Sequence, residues 1–330
     1  MNRNRYLLRL LGVFLSCSAT VASAQAIRLE SSSAAYPLSQ RIVEDFTSAG
    51  GKVKVALGDS GSAEALRRLC AGEADLAAVS RPIVKSELAQ CQKAAKTFVE
   101  VPIAFDALAV VVNPRNSFLS ALSVDELRKV WTAEAQGKLV RWSQVNPRYP
   151  DEPLKLYAPD ARAERGNYFN EAILGAGREA RRDFSASADD DVIVRAVARD
   201  PGGLGYVPLA YYSANRKRVK AVPIASGASA AAAEPSLESI AAGQYQPLSR
   251  PLFLYVSVKS LERAEVTAFA EHYLKQVRSL ARELNYVPLA DATYHVAQER
   301  LVKRTPGSRW DGAVPVGVTL ESLHKRLAAP

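Results

Sequence analysis

The stretch VPIAFDALAVVVN, residues 101–113, is apolar at almost every position and rich in Val, Ile and Phe. That composition gives it β character. A second run of the same kind, RPLFLYVSV, spans residues 250–258. Between and outside these two runs the chain alternates short strands with helices. If both runs cross between two domains, the middle of the chain forms one domain and the two ends together form the other. A cleft then lies between them. Alternating strand–helix units favour mainly parallel sheets, with ligands at the C-terminal ends of the strands.

Before these runs, Ile27-Arg28-Leu29 reads as a strand. Pro37 opens a helix with Leu38, Ile42, Val43 and Phe46 on one face. Lys52 to Leu57 alternates as a second strand, and Ala65, Leu66, Leu69 and Cys70 mark the inward face of the next helix. LAAVS, 76–80, is a short strand that ends on Ser80-Arg81. Ser123 and Glu126 form a capping box for a helix running to Trp131. LKLYAP, 154–159, is a strand, and a helix follows through Tyr168, Phe169 and Ile173. Ser187 is expected to cap a helix whose first turn carries Asp189, Asp190 and Asp191. Acids at the positive end of a helix explain that triplet better than a cation site does. SGASAAAAEP, 226–235, reads as an exposed loop, and a final helix carries Phe269, Tyr273 and Leu274.

The 330 residues suffice for two domains of ordinary size, and 48% apolar residues allow a sizeable core. Residues 1–24 stand apart: Arg3, Arg5 and Arg9, an apolar middle, then Ala22-Ser23-Ala24. This is the layout of a secretory signal, with cleavage expected near Ala24 and a periplasmic destination. The residues before Cys17 make a poor acylation site. Without the leader the net charge falls from +9 to +6, with 40 basic and 34 acidic residues. The basic residues are scattered and form no aromatic-interleaved stripe, which argues against nucleic acid as a partner. Export makes a disulfide between Cys70 and Cys91 the expectation, with two buried thiols as the alternative. No metal-ligand spacing, dinucleotide fingerprint or nucleophile–base set appears, so neither a cofactor nor an enzyme activity is expected. His272, His295 and His324 read as surface or packing residues, and Trp131, Trp142 and Trp310 as core or lobe-surface aromatics.

Three strand–loop–helix junctions remain: ESSSAAYP, GDSGSAEAL and PDARAERGNYF. Each would set a helix N-terminus at the end of a strand, where free N–H groups and partial positive charge favour anions. Serine hydroxyls add donors, and Arg81 adds a planar fork suited to phosphate or carboxylate oxygens.

Here the chain resembles the periplasmic phosphate-binding proteins of ABC transporters, in the branch that carries a Ser-Arg-Pro motif. CAGEADLAAVSRPI (70–83), VPIAFDALAVVVNPRN (101–116), ELRKVW (126–131), WSQVNPRYP (142–150), GLGYVPLAYY (203–212) and QYQPLSRPLFLYV (244–256) carry the resemblance in order, with Cys91. It implies an α/β, type II periplasmic binding protein fold: two lobes, each a mixed, mainly parallel sheet flanked by helices, joined by two crossover strands. The lobes are expected at 25–112 with 251–330, and at 113–250. It also implies a ligand set of Ser32, Ser33, Ser62, Ser80 and Arg81, with Asp75 structural. The family's first loop reads Gly-Ser-Ser-Thr where Ser31-Ser32-Ser33-Ala34 stands here. Its third reads Asp-Ser-Gly-Thr where Arg162-Ala163-Glu164-Arg165 stands, so both hydroxyls are gone. Arg162 and Arg165 are the expected replacements. Glu64 and Glu164 fall at helix N-termini where the family's anion would sit, and either would serve as a built-in anion or point to solvent.

Two functions follow. The first is a monomeric periplasmic solute-binding protein that delivers phosphate or a related oxyanion to an inner-membrane ABC transporter permease. The second is a binding-fold protein that has lost tight phosphate binding and acts through a protein partner in the envelope.

Overall fold

The computed structural model describes residues 25–227 and 230–329. The expected export signal lies outside the described residues. The strand Phe98–Val112 is buried at all 15 positions. At about 3.3 Å per residue it reaches about 50 Å, long enough to serve two sheet halves. Its first part pairs antiparallel with Ser249–Ser257, and Leu108–Val112 pairs antiparallel with Gly203–Pro208. The nine-stranded sheet runs in the order Val55–Asp59, Ile27–Ser31, Leu76–Val79, Ser249–Ser257, Phe98–Val112, Gly203–Pro208, Lys155–Ala158, Ser185–Ala186, with Lys220–Ala221 also on Phe98–Val112. The flanks are parallel and the centre is antiparallel. Parallel flanks arise because each return passes through a helix.

The parallel register aligns the strand ends that matter. Ser31 sits opposite Asp59 on one side and Ala78 on the other. All three strands therefore release their loops at one edge. Behind this edge Leu38, Ile42, Ala65, Leu66 and Leu69 are buried against the sheet. In the other half, Trp131 packs edge-on to Phe169 and Tyr206, and Phe169 stacks on Tyr206 at 3.9 Å. That stack fixes the helix Glu164–Leu174.

Cys70 and Cys91 are joined, tying the helix Ser62–Ala71 to the helix Lys85–Lys93. Closing a loop of this length contributes about 3 kcal/mol by restricting the unfolded chain. The double substitution C70A/C91A should lower the denaturant-unfolding free energy by about that amount with little change in far-UV circular dichroism.

Several expected elements move. The second strand starts at Val55 rather than Lys52, because residues 52–54 lie before the ladder with Ile27–Ser31. Asp189, not Ser187, caps the helix Asp190–Arg199 through the Asp191 N–H; Ser187 Oγ instead accepts from Asp189 N–H one step earlier. The helix with Phe269 and Tyr273, Ala264–Glu283, is not the last, since Asp291–Val302 and Leu320–Ala328 follow. Ser123 and Glu126 form the capping box as the sequence suggests.

Candidate functional site: an anion cradle holding a carboxylate

At the aligned strand ends, Ser32 N–H donates to Ala78 O, and Ser60 and Gly61 N–H both donate to Ser31 O. These bonds fold the first two loops onto each other. Gly61 has φ of 81°, a left-handed value that favours glycine, and it turns the chain into the helix Ser62–Ala71. Ser62 N–H is then a free donor at a positive helix end. Ser62 Oγ accepts from Ser80 N–H at 3.1 Å and lies 3.4 Å from Ser80 Oγ. Two hydroxyls and one backbone N–H thus converge on one point. Both serines are buried.

That point is filled by the carboxylate of Glu164. Its Oε1 accepts from Ser62 Oγ at 2.7 Å and from Ser80 Oγ in a short contact, and its Oε2 accepts from Ser62 N–H at 3.4 Å. Glu164 opens the helix Glu164–Leu174, which follows the strand Lys155–Ala158 in the other half of the sheet. The contact therefore spans the two halves. Glu64, on the first turn of Ser62–Ala71, turns away: it pairs with Arg67 at 2.7 Å and Arg68 at 2.8 Å on the surface. Hydrogen bonds from Arg67 and then Arg68 hold its carboxyl down to about 2.

The remaining expected ligand residues divide. Arg81 faces the same small cavity as Glu164, but its guanidinium is bidentate on Glu87, at 2.7 and 2.9 Å. Ser32 is fully buried, and its Oγ accepts from Ala35 N–H to shape the turn before the helix Tyr36–Ser48. Ser33 and Arg165 line a separate cavity of about 520 Å³ with Asp59, Asp106 and Asp190. Arg165 is bound to Asp190 there at 2.5 Å. Burial pushes the Asp59, Asp106 and Asp190 carboxyls up, with Arg165 opposing in each case and Glu164 adding repulsion at Asp59. Carboxylates outnumber cations on this side, so it is a poor seat for an anion. Arg162 is 85% exposed and meets Asp160 on the surface, so the fold does not bring it to the cradle.

One cation beside the cradle was not expected from the sequence. Arg250, on the strand Ser249–Ser257, lines the cavity of about 70 Å³ shared by Ser80, Arg81, Glu164 and Tyr168. Its side chain is 93% buried, given 7% exposure. It lies over the Tyr168 ring at 4.2 Å and reaches Asp106 at 3.4 Å. Its Nε has no hydrogen-bond partner among the described residues. The signal was an arginine inside an apolar strand, placed by register opposite Asp106.

Two lobes on one mixed sheet, shared crossover strands and an anion cradle at aligned strand ends define a type II periplasmic binding protein. The PBP superfamily domain model matches residues 18–276. The chain belongs to this superfamily and, within it, to the family of phosphate-binding proteins. It is 37% identical over 306 residues to the protein SphX of Synechococcus elongatus, covering 92% of this chain and 90% of that one. It is 30% identical to the phosphate-binding protein PstS of Staphylococcus haemolyticus, covering 80% and 81%. A possible phosphate binding protein from Planctomyces limnophilus has the same fold, with a TM-score of 0.69, 35% identity and coverage of 85% of this chain and 99% of that one.

Proposed function

We propose that the protein is a periplasmic solute-binding protein for phosphate or a related oxyanion, which it delivers to an ABC transporter permease as a monomer. The lobes are 25–112 with 251–330, and 113–250. The carrying observation is the cradle: Ser62 Oγ, Ser80 Oγ and Ser62 N–H converge on one carboxylate. Donors that hold a carboxylate also suit phosphate oxygens, and each bond to a charged group is worth about 1.5–3 kcal/mol. Membership of a solute-binding family supports binding rather than catalysis. The relatives' names supply phosphate as the first ligand to try.

Calorimetric titration with inorganic phosphate at pH 7 tests this, on protein unfolded and refolded to strip bound anions. The expected result is one site with micromolar or weaker affinity, because Glu164 competes for the same donors. An absence of heat at millimolar phosphate would reject phosphate as the ligand. The second reading, a partner-acting protein that no longer binds solute, rests on Glu164 already filling the cradle. That reading predicts silence across a panel of sulfate, arsenate and phosphonates as well.

A further inference from the structure

We propose that Glu164 is an exchangeable internal ligand: its carboxylate latches the two lobes shut over the Ser62–Ser80 cradle, and an incoming oxyanion displaces it by also engaging Arg250. This rests on the oxyanion reading above.

Three observations carry it. The carboxylate crosses from one half of the sheet to the other and takes donors from two different elements, Ser62 at a helix start and Ser80 at a strand end. A solute bound between lobes makes the same kind of bridge, and closure depends on contacts to both sides. The space left beside it is about 70 Å³. That is roughly two waters at about 30 Å³ each. The same three donors, Ser62 Oγ, Ser80 Oγ and Ser62 N–H, would have to serve an anion seated there, so such an anion and the carboxylate exclude one another. Finally, the Arg250 side chain borders this cavity, and with Glu164 seated its Nε is buried and unpaired. A buried guanidinium N–H without an acceptor is costly. A carboxylate has two oxygens, both already turned to Ser62 and Ser80. A tetrahedral oxyanion has more, so it can replace Glu164 at the serines and, with a turn of the Arg250 side chain toward the cavity, give Nε the missing acceptor. That difference is what would let a ligand win against a tethered group with a high effective concentration.

The local sequence explains why Glu164 and not Glu64 takes this role. Glu64 has Arg67 and Arg68 three and four positions on, and it pairs with both. Glu164 has Asn167 and Tyr168 at those positions, and the arginine next to it on its helix, Arg165, is bound to Asp190.

The test uses the full-length processed protein carrying E164Q or E164A, with two readouts. Phosphate affinity is measured by calorimetry. The interlobe distance without ligand is measured between dyes on V140C and V302C, both exposed positions, with Cys70–Cys91 intact. The expected result is a longer ligand-free distance in both variants and a phosphate affinity raised at least about tenfold, one charge-assisted bond's worth of competition. R250K in the E164Q background should lose that gain, because lysine lacks the planar fork, while keeping the long distance. An unchanged ligand-free distance would overturn the latch, whatever the affinity does. A longer distance with no phosphate binding in any variant would keep the latch and reject the oxyanion reading. Unaltered affinity in R250K would remove Arg250 from the exchange.

Discussion

Phe169→Ala should cost about 3–5 kcal/mol of unfolding free energy, the usual range for emptying a buried phenylalanine site. Phe169 is fully buried, lies parallel to Tyr206 at 3.9 Å and meets the edge of Trp131 at 5.4 Å. Such aromatic pairs add about 0.5–1.5 kcal/mol beyond the area they bury. The neighbours cannot collapse into the gap, because Trp131 also packs on Phe184 and Tyr206 sits in a strand fixed by Phe98–Val112 on one side and Lys155–Ala158 on the other. Urea unfolding of the variant should show a lower midpoint with an unchanged slope. The consequence reaches the site, since Phe169 is the anchor of the helix that presents Glu164. The dye-labelled protein should therefore also show a broader ligand-free distance distribution in Phe169→Ala. A loss below about 1 kcal/mol would mean that the stack does not hold this helix.

How much of this was legible beforehand depended on whether the determinants were local. The capping box at Ser123 and Glu126 is complete within four residues, so the sequence suffices for it. The two crossover strands were legible because unbroken burial leaves a continuous apolar signal. The sequence points to Ser187 rather than Asp189 as the helix cap because both residues are good caps and only the backbone turn chooses between them. Ser62 in a loop opening a helix and Ser80 at a strand end are legible as donors, but their approach to one point is not, since it depends on parallel register between strands far apart in sequence. Arg81 and Arg162 fit the chemistry of an anion site, but long side chains follow the nearest carboxylate. Glu87 is six residues from Arg81, and Asp160 two from Arg162. The choice between Glu64 and Glu164 was open, although the i+3 and i+4 arginines beside Glu64 already pointed to the answer. Arg250 is not legible as a site residue because a charge in a strand says nothing about which cavity it borders.

Asp75→Asn should destabilise the protein by about 3 kcal/mol at pH 7, and the deficit should close in acid. The Asp75 side chain is almost fully buried. It accepts from Arg28 N–H and from Arg28 Nε and Nη2, from Ser260 Oγ at 2.8 Å, and from Arg263 Nη1 at 3.4 Å. Its own main chain receives Ser257 N–H and donates to Arg28 O. It thus ties the first strand to the exit of the second crossover strand, which explains a carboxylate placed far from the cradle. Burial by itself would raise its pKa, but the Arg28 side chain and backbone and then Ser260 outweigh burial and hold the carboxyl below its ordinary value. A folded pKa below the unfolded one, about 3.9, means that the charged form is favoured by folding. That stabilisation is complete above the unfolded pKa and disappears as pH falls through the folded one. Asparagine keeps the shape and an acceptor oxygen but has no charge, so it lacks the effect at every pH. Chemical unfolding of both proteins at pH 7, 5, 4 and 3 should give a constant gap down to about pH 4 and a shrinking gap below it. A gap of unchanged size at pH 3 would assign the loss to amide geometry rather than charge. A gap absent at pH 7 would mean that the partly exposed guanidinium groups of Arg28 and Arg263 recover in water what they lose in the fold.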